Sequence, residues 1–187
     1  VSSINWVLFC GITKSSFPKE IPALNACLKP KSLSLSQNIT VVFWPQNLKT
    51  ISIISETVFL GSNLSIKSIY ITNAGDKAIS IGERSIINGF NINISQSKIG
   101  IASKDKSFAT FSKVTLKDIE TGFAVYQKKQ EFGNANLHIS DFSSYQTDSL
   151  FVLENSSSLI LNDSKMKFNS NDAIQSLYKQ KMENEPF

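Results

Sequence analysis

From Asn63 onward the chain alternates apolar and polar residues in short runs: Leu64-Ser65-Ile66, Ile69-Tyr70-Ile71, Phe90-Asn91-Ile92-Asn93-Ile94, Val114-Thr115-Leu116, Leu137-His138-Ile139 and Leu159-Ile160-Leu161. A period of two is that of strands with one buried face. Each run is followed, after a polar turn, by a second one that starts at a small residue: Ala78-Ile79-Ser80-Ile81, Gly100-Ile101, Gly122-Phe123-Ala124-Val125, Ser149-Leu150-Phe151-Val152 and Ala173-Ile174. Ile, Val, Phe, Ser, Thr and Asn dominate, and good helix formers are sparse until Gln175, which argues for strands over helices.

The runs also keep a step. Ala78, Gly100 and Gly122 are equivalent (100 − 78 = 22; 122 − 100 = 22), as are Ile79, Ile101 and Phe123. A constant step of this size marks a solenoid, in which each repeat buries its apolar face against its neighbours. A β-sandwich would not reproduce it. The expected architecture is all-β, a single-stranded parallel β-helix of about 22 residues per coil and about five coils over 63–174. An irregular segment over 1–62 is either a cap or a degenerate part of the array, and a tail or short end cap covers 175–187.

Inward positions of such a coil stack on themselves. The step predicts one apolar column of Ile79, Ile101, Phe123, Leu150 and Ile174, and a second of Ile81, Val125 and Val152 with Ser103 as its polar exception. Ala78, Gly100 and Gly122 fit a tight corner, through a positive φ or through lack of room. Asn73, Ser95 or Gln96, Asp118, Asp141 and Asn169 read as a ladder of side chains serving turn backbone groups. The stretch from Tyr126 to Asn134 makes the third coil longer than its neighbours, and insertions of this kind form surface loops that line binding faces.

With these phrases in view, residues 63–174 resemble right-handed parallel β-helix repeat proteins, the superfamily of pectate lyases and polysaccharide C5-epimerases. Asn171-Asp172-Ala173-Ile174 is similar to a turn-to-strand phrase of such repeats. Three longer phrases, beginning at Gly75, Ile99 and Tyr126, resemble bacterial exported β-helix proteins, some of which accompany spore coat protein H-type kinase domains. The resemblance implies a right-handed coil, a secreted or cell-surface location and carbohydrate as a ligand class. Kinase activity is not implied, because the chain has neither a Gly-rich phosphate loop nor an HRD-like or DFG-like motif.

Candidate chemistry gathers after the second strand of each coil. Glu83 and Asp105 are one step apart (105 − 83 = 22), as are Arg84 and Lys106, which predicts adjacent acidic and basic rows. Glu83, Lys104, Asp105 and Lys106 are the candidates for acid–base work, since a lyase or epimerase acting on acidic glycans needs a cation for a uronate carboxylate and a base for the neighbouring carbon acid. Arg84, Tyr126, Gln127, Lys128, Lys129 and Glu131 are the candidate binding residues. Alternating charges also make a salt-bridged turn, so a non-catalytic module that binds glycan or a partner protein is the leading expectation and the enzyme its alternative; a spacer in a larger surface protein is the third.

The 187 residues carry a net charge of +4, with 18% charged residues and a pI near 9.0. This mild basicity suits an acidic polysaccharide or cell-surface partner, and nothing points to nucleic acid. Cys10 and Cys27 lack metal-ligand spacing, and a disulfide between them would require export. His138, alternating with Leu137 and Ile139, points away from the core. Trp6-Val7-Leu8-Phe9-Cys10 is too short to span a bilayer. No cofactor or metal is expected.

Overall fold

A computed structural model describes residues 56–183, with side chains through Tyr178, and before them only the backbone of five strands. These are β1 (Trp6–Cys10), β2 (Ser34–Leu35), β3 (Ile39–Phe43), β4 (Gln46–Leu48) and β5 (Ile51–Ile53). Then follow β6 (Thr57–Leu60), β7 (Asn63–Ile66), β8 (Ile69–Gly82), β9 (Ile86–Lys104), β10 (Phe108–Tyr126), β11 (Asn136–Leu153), β12 (Ser158–Leu161), β13 (Ser164–Lys165) and helix α1 (Ala173–Glu183). Cys27 and the prolines at 18, 22 and 30 lie outside the described residues, and with them the disulfide expectation.

The architecture is the expected parallel β-solenoid of about five turns with about 22 residues each. The long strands lie side by side in the order β8, β9, β10, β11, each pair parallel. Their register follows the sequence step. Ile79 pairs with Ile101 and Ile101 with Phe123, while Ile81, Ser103 and Val125 form the next column. All six side chains are fully buried, and each apolar one contributes about 1.5–3 kcal/mol.

The fourth coil departs from the predicted register by one residue. Phe123 pairs with Phe151 and Val125 with Leu153, so Phe151 and Leu153 continue the columns and Leu150 points outward, 38% exposed. The shift comes from the insertion: Ile86 to Phe108 is 22 residues, whereas Phe108 to its partner Asn136 is 28. Ile174 does not continue a column either; it lies on α1 and is 40% exposed. In place of a strand, Asp172 caps a helix, its Oδ1 accepting from the Gln175 amide at 2.9 Å.

The corners come from left-handed residues at equivalent positions. Asn73, Gln96, Asp118 and Gln146 share one corner, with φ of 53–56°. Asn91, Lys113 and Asp141 share another. Asp141 therefore belongs to a different corner from the one its sequence neighbourhood suggested, again because of the longer coil. Asn169 braces the strand edge instead: its Oδ1 accepts from Leu153 N at 2.8 Å and its amide donates to Phe151 O at 3.0 Å. Gly100 and Gly122 serve close approach. A Cβ on Gly100 would sit 2.6 Å from Gly122 O, and one on Gly122 would sit 2.8 Å from Leu150 O.

A further ladder runs through the third corner. Ser62, Ser85 and Ser107 are buried one above another, with Ala135 and then Ser157 below them. Ser62 N donates to Ser85 Oγ at 3.1 Å, and Ser85 Oγ donates to Gly82 O at 2.6 Å. Ser107 Oγ lies 2.8 Å from Ser103 Oγ, which donates to Asn136 O at 2.9 Å. The polar exception in the second column thus has its hydrogen bonds met by the corner.

Candidate functional site

Two outward regions gather charged side chains. The first is the third corner, where Gly82-Glu83-Arg84-Ser85 and Lys104-Asp105-Lys106-Ser107 form equivalent tight turns, closed by Ser85 N to Gly82 O and Ser107 N to Lys104 O, both 3.2 Å. Glu83, Arg84, Asp105 and Lys106 all have positive φ, between 54° and 62°. Two successive left-handed residues are the geometry of a turn usually built from Asn-Gly. Placing charged residues there costs about 1–2 kcal/mol each.

The inserted loop, 127–135, folds against this corner. Asp105 is 1% exposed, and its Oδ1 accepts from Lys128 N at 2.8 Å and Lys129 N at 2.7 Å. Glu154 holds the loop's other side by accepting from Gln127 N at 2.7 Å. Gln127 then turns its own side-chain amide to the carbonyls of Lys129 and Gln130, at 3.2 and 3.1 Å. Lys106 N closes the loop by donating to Gly133 O at 3.0 Å.

Outside this scaffold, Lys129 is ion-paired with Glu83. Arg84 and Lys129 both lie over the ring of Phe132, at 5.5 and 5.6 Å from its centroid, within cation–π range. The Glu83 hydrogen bond raises the Lys129 pKa above its ordinary value. Arg84, Lys106, Lys128, Lys129 and Glu131 are exposed. The expected rows do stand side by side, but the Asp105 carboxylate is turned in to the loop backbone.

The second region is the flank covered by α1. Outward residues Ile99, Ala102, Ala124 and Tyr126 form a second apolar cluster with Ala173 and Leu177 of the helix. Tyr126, a candidate for the binding face, is therefore 1% exposed, and burial pushes its hydroxyl pKa upward. Tyr178, on the same helix, donates to Asp76 Oδ1 at 3.0 Å and accepts from Lys77, which also pairs with Asp76. The ammonium groups of Lys77 and Lys98 lie 5.1 and 4.9 Å from the Tyr178 ring centroid. Burial, with Asp76 close by, raises the Tyr178 pKa.

Lys104 stands between the two regions. Its stem crosses Gly82, where a Cβ would lie 3.2 Å from Lys104 Cε. Burial holds its pKa below the ordinary lysine value, and the neighbouring Lys128 and Lys77 add to the effect. Glu83, Asp105 and Lys106 thus share the corner, whereas Lys104 leans toward the flank.

His138 is half-buried and outward, with Nε2 3.7 Å from Asp163 Oδ1. Among the described residues no cluster of three or more His, Cys, Asp or Glu is placed to hold a metal, and no helix is long and apolar enough to cross a membrane. The Asp76, Lys77, Lys98 and Tyr178 cluster was not singled out from sequence, since its parts are 102 residues apart (178 − 76). The serine ladder did leave a signal: Ser62, Ser85 and Ser107 keep close to the common step, and Ser157 follows Ser107 by 50 residues, the 28-residue coil plus one step of 22. No family model, curated protein or solved structure matches the chain.

Proposed function

We propose that the protein is a non-catalytic β-solenoid binding module, exported to the cell surface or beyond, that holds an acidic glycan at the third corner. One observation carries this reading: Asp105 and Glu83 of the corner already have partners, while Arg84, Lys106 and Lys128 are exposed. Asp105 is bound to two loop amides and Glu83 to Lys129. Arg84 remains outward over the ring of Phe132, and Lys106 and Lys128 are exposed. Such a surface offers charge-assisted hydrogen bonds to carboxylates and an apolar patch for a sugar face. The resemblance of the phrases at Gly75, Ile99 and Tyr126 to bacterial exported β-helix proteins supports the location and the ligand class.

The test is titration of the full chain with oligogalacturonate and with a neutral oligosaccharide of equal length. Binding of the acidic chain, weakened by salt and by Arg84→Gln or Lys128→Gln, is the expected result. Equal affinity for the neutral chain would exclude the reading. The alternative, a lyase or epimerase of acidic glycans, draws support from the depressed pKa of Lys104. Unsaturated or epimerised product from such a polymer, lost in Lys104→Gln, would establish it.

A further inference from the structure

One outward sheet face, built from β7 and the opening residues of β9 and β10, carries large apolar side chains in the open. Ile86 and Phe108 are register partners on adjacent coils, and Phe90 stands further along the same run of β9, opposite Ser112. They are 46%, 49% and 51% exposed in the order Ile86, Phe108, Phe90. Their alternating neighbours Ile87, Ala109 and Phe111 are fully buried, so the period of two turns the three outward. Apolar side chains grouped on one face and rimmed by charge mark a contact surface.

The rim is cationic. Arg84 and Lys106 stand two residues before Ile86 and Phe108, at the third corner, and both are exposed. Lys67 precedes Phe90 in its column, between Ile66, which pairs with Gly89, and Ser68, whose Oγ donates to Asn91 O at 3.3 Å. At the opposite corner the Lys113 ammonium lies 5.9 Å from the Phe90 ring centroid. The carboxylates nearby are engaged or further along the coil: Asp105 is buried on loop amides, Glu83 is paired with Lys129, and Glu131 acts on Lys129 from the inserted loop. Asp141 takes the place of Lys113 on β11, and Asp163 lies in the turn after β12. The positive rim therefore brackets the apolar group and ends at β11.

Charge and apolar surface together select an anionic lipid layer over a sugar. Ile86 has no ring face, and that of Phe90 is taken by Lys113, which leaves Phe108 alone to stack. A bilayer uses every one of these groups: apolar side chains enter the acyl boundary, lysine stems lie along it, and their ammonium groups reach headgroup phosphates. We propose that the outward face of β9 and β10 docks the protein on an anionic lipid surface, with Ile86, Phe90 and Phe108 entering the layer and the cationic rim on the headgroups. The contact shares Arg84 and Lys106 with the glycan corner. Phe90, Lys67 and Lys113 serve the lipid alone.

Co-sedimentation of the full chain with vesicles of phosphatidylcholine alone, and of phosphatidylcholine and phosphatidylglycerol in equal parts, tests this. The protein binds the anionic vesicles and not the neutral ones, and salt weakens the binding. Phe90→Ser, Phe108→Ser, Lys67→Gln and Lys113→Gln each lower vesicle affinity by roughly fivefold, in proteins that still melt cooperatively. Phe90→Trp keeps the binding, and acyl-brominated lipid quenches its emission beyond any quenching of the parent's own tryptophans. Oligogalacturonate affinity stays within about twofold in Phe90→Ser and Lys113→Gln, whereas Arg84→Gln weakens both ligands.

No binding to the anionic vesicles would overturn the proposal. So would undiminished binding in Phe90→Ser and Phe108→Ser, which would mean adsorption by charge only, or no added quenching in Phe90→Trp. Loss of oligogalacturonate affinity in Phe90→Ser and Lys113→Gln without vesicle binding would assign the face to the glycan and refute this reading. Vesicle binding that depends on Phe90 and Lys113, in a protein that ignores oligogalacturonate, would establish it and remove the corner reading instead.

Discussion

The third corner and the α1 flank are built on the same coils, yet they treat charge in opposite ways. At the corner, a buried carboxylate comes first: Asp105 accepts from two loop amides, and the cations are left at the rim. At the flank, cations are drawn inward and half-buried, and Asp76 together with a tyrosine from the far end of the chain compensates them. The corner is fixed by backbone hydrogen bonds, which have one good geometry. The flank is fixed by a helix face whose apolar contacts among the described residues are Ala173, Leu177 and the partly buried Tyr178. The difference separates a rigid presenting surface from a covered one.

The largest expected effect breaks the corner. Asp105→Ala removes the acceptor for Lys128 N and Lys129 N while keeping them shielded, so we expect a loss of about 3 kcal/mol in denaturant unfolding. Asp105→Asn tolerates the left-handed backbone and keeps one carbonyl acceptor, and should lose about half as much. A structural brace predicts this graded series. A carboxylate kept for chemistry would instead leave stability nearly unchanged in both variants.

Next in size is the flank. Leu177→Ala should weaken helix docking by about 2 kcal/mol, read as faster hydrogen exchange confined to α1 while the sheet amides of β9 and β10 keep their protection. A global loss of protection would show that α1 is part of the core and erase the contrast with the corner.

How much of this the sequence carried depends on how local the signal was. The columns Ile79–Ile101–Phe123 and Ile81–Ser103–Val125 were legible because three coils keep one step, and the step is a direct image of parallel register. The change at Leu150 was not, because six additional residues in the loop (28 − 22) remove the count that assigns faces. The first strands pair at a shorter step, Ile39 with Thr57, Gln46 with Leu64 and Ile51 with Ile69, each 18 apart. A search at 22 does not find them. Asn171-Asp172 reads equally well as a turn into a strand or as a helix cap, and only the tertiary contact of Leu177 with the sheet decides. The rows Glu83/Asp105 and Arg84/Lys106 were placed correctly side by side, but not the inward turn of Asp105, since that depends on the loop amides it meets.

Smaller effects refine the corner. Arg84→Gly relieves a left-handed residue at φ 62° and should raise stability by about 1 kcal/mol, partly offset by the added freedom of the unfolded chain. The same change should weaken binding of an acidic oligosaccharide, so stability and affinity move in opposite directions. Movement in the same direction would mean that Arg84 is there for the fold.

Lys104 supplies a pH test, because it is the lysine whose pKa burial lowers. Its pKa in the folded protein is lowered, chiefly by burial, so the charged form is carried at a cost at neutral pH. As pH rises through the folded-state value toward the ordinary lysine value, that cost is lifted and stability increases relative to a variant without the amine. The gap between parent and Lys104→Gln should therefore shift in the parent's favour on going from neutral to alkaline pH. A pH-independent gap would remove the burial argument.

The smallest effect separates a surface pair from a brace. Glu83→Gln removes the ion pair with Lys129, but both side chains are partly solvated, 28% and 43% exposed. The expected loss is the smallest of the series and falls further as salt is added. The Lys129 backbone amide stays bound to Asp105, so the loop keeps its shape. Affinity for an acidic oligosaccharide should rise in this variant, because a competing carboxylate is gone while Lys129 stays over Phe132. If affinity fell instead, Glu83 would be holding Lys129 in place for the ligand, and the corner would depend on its carboxylates at the rim as well as beneath it.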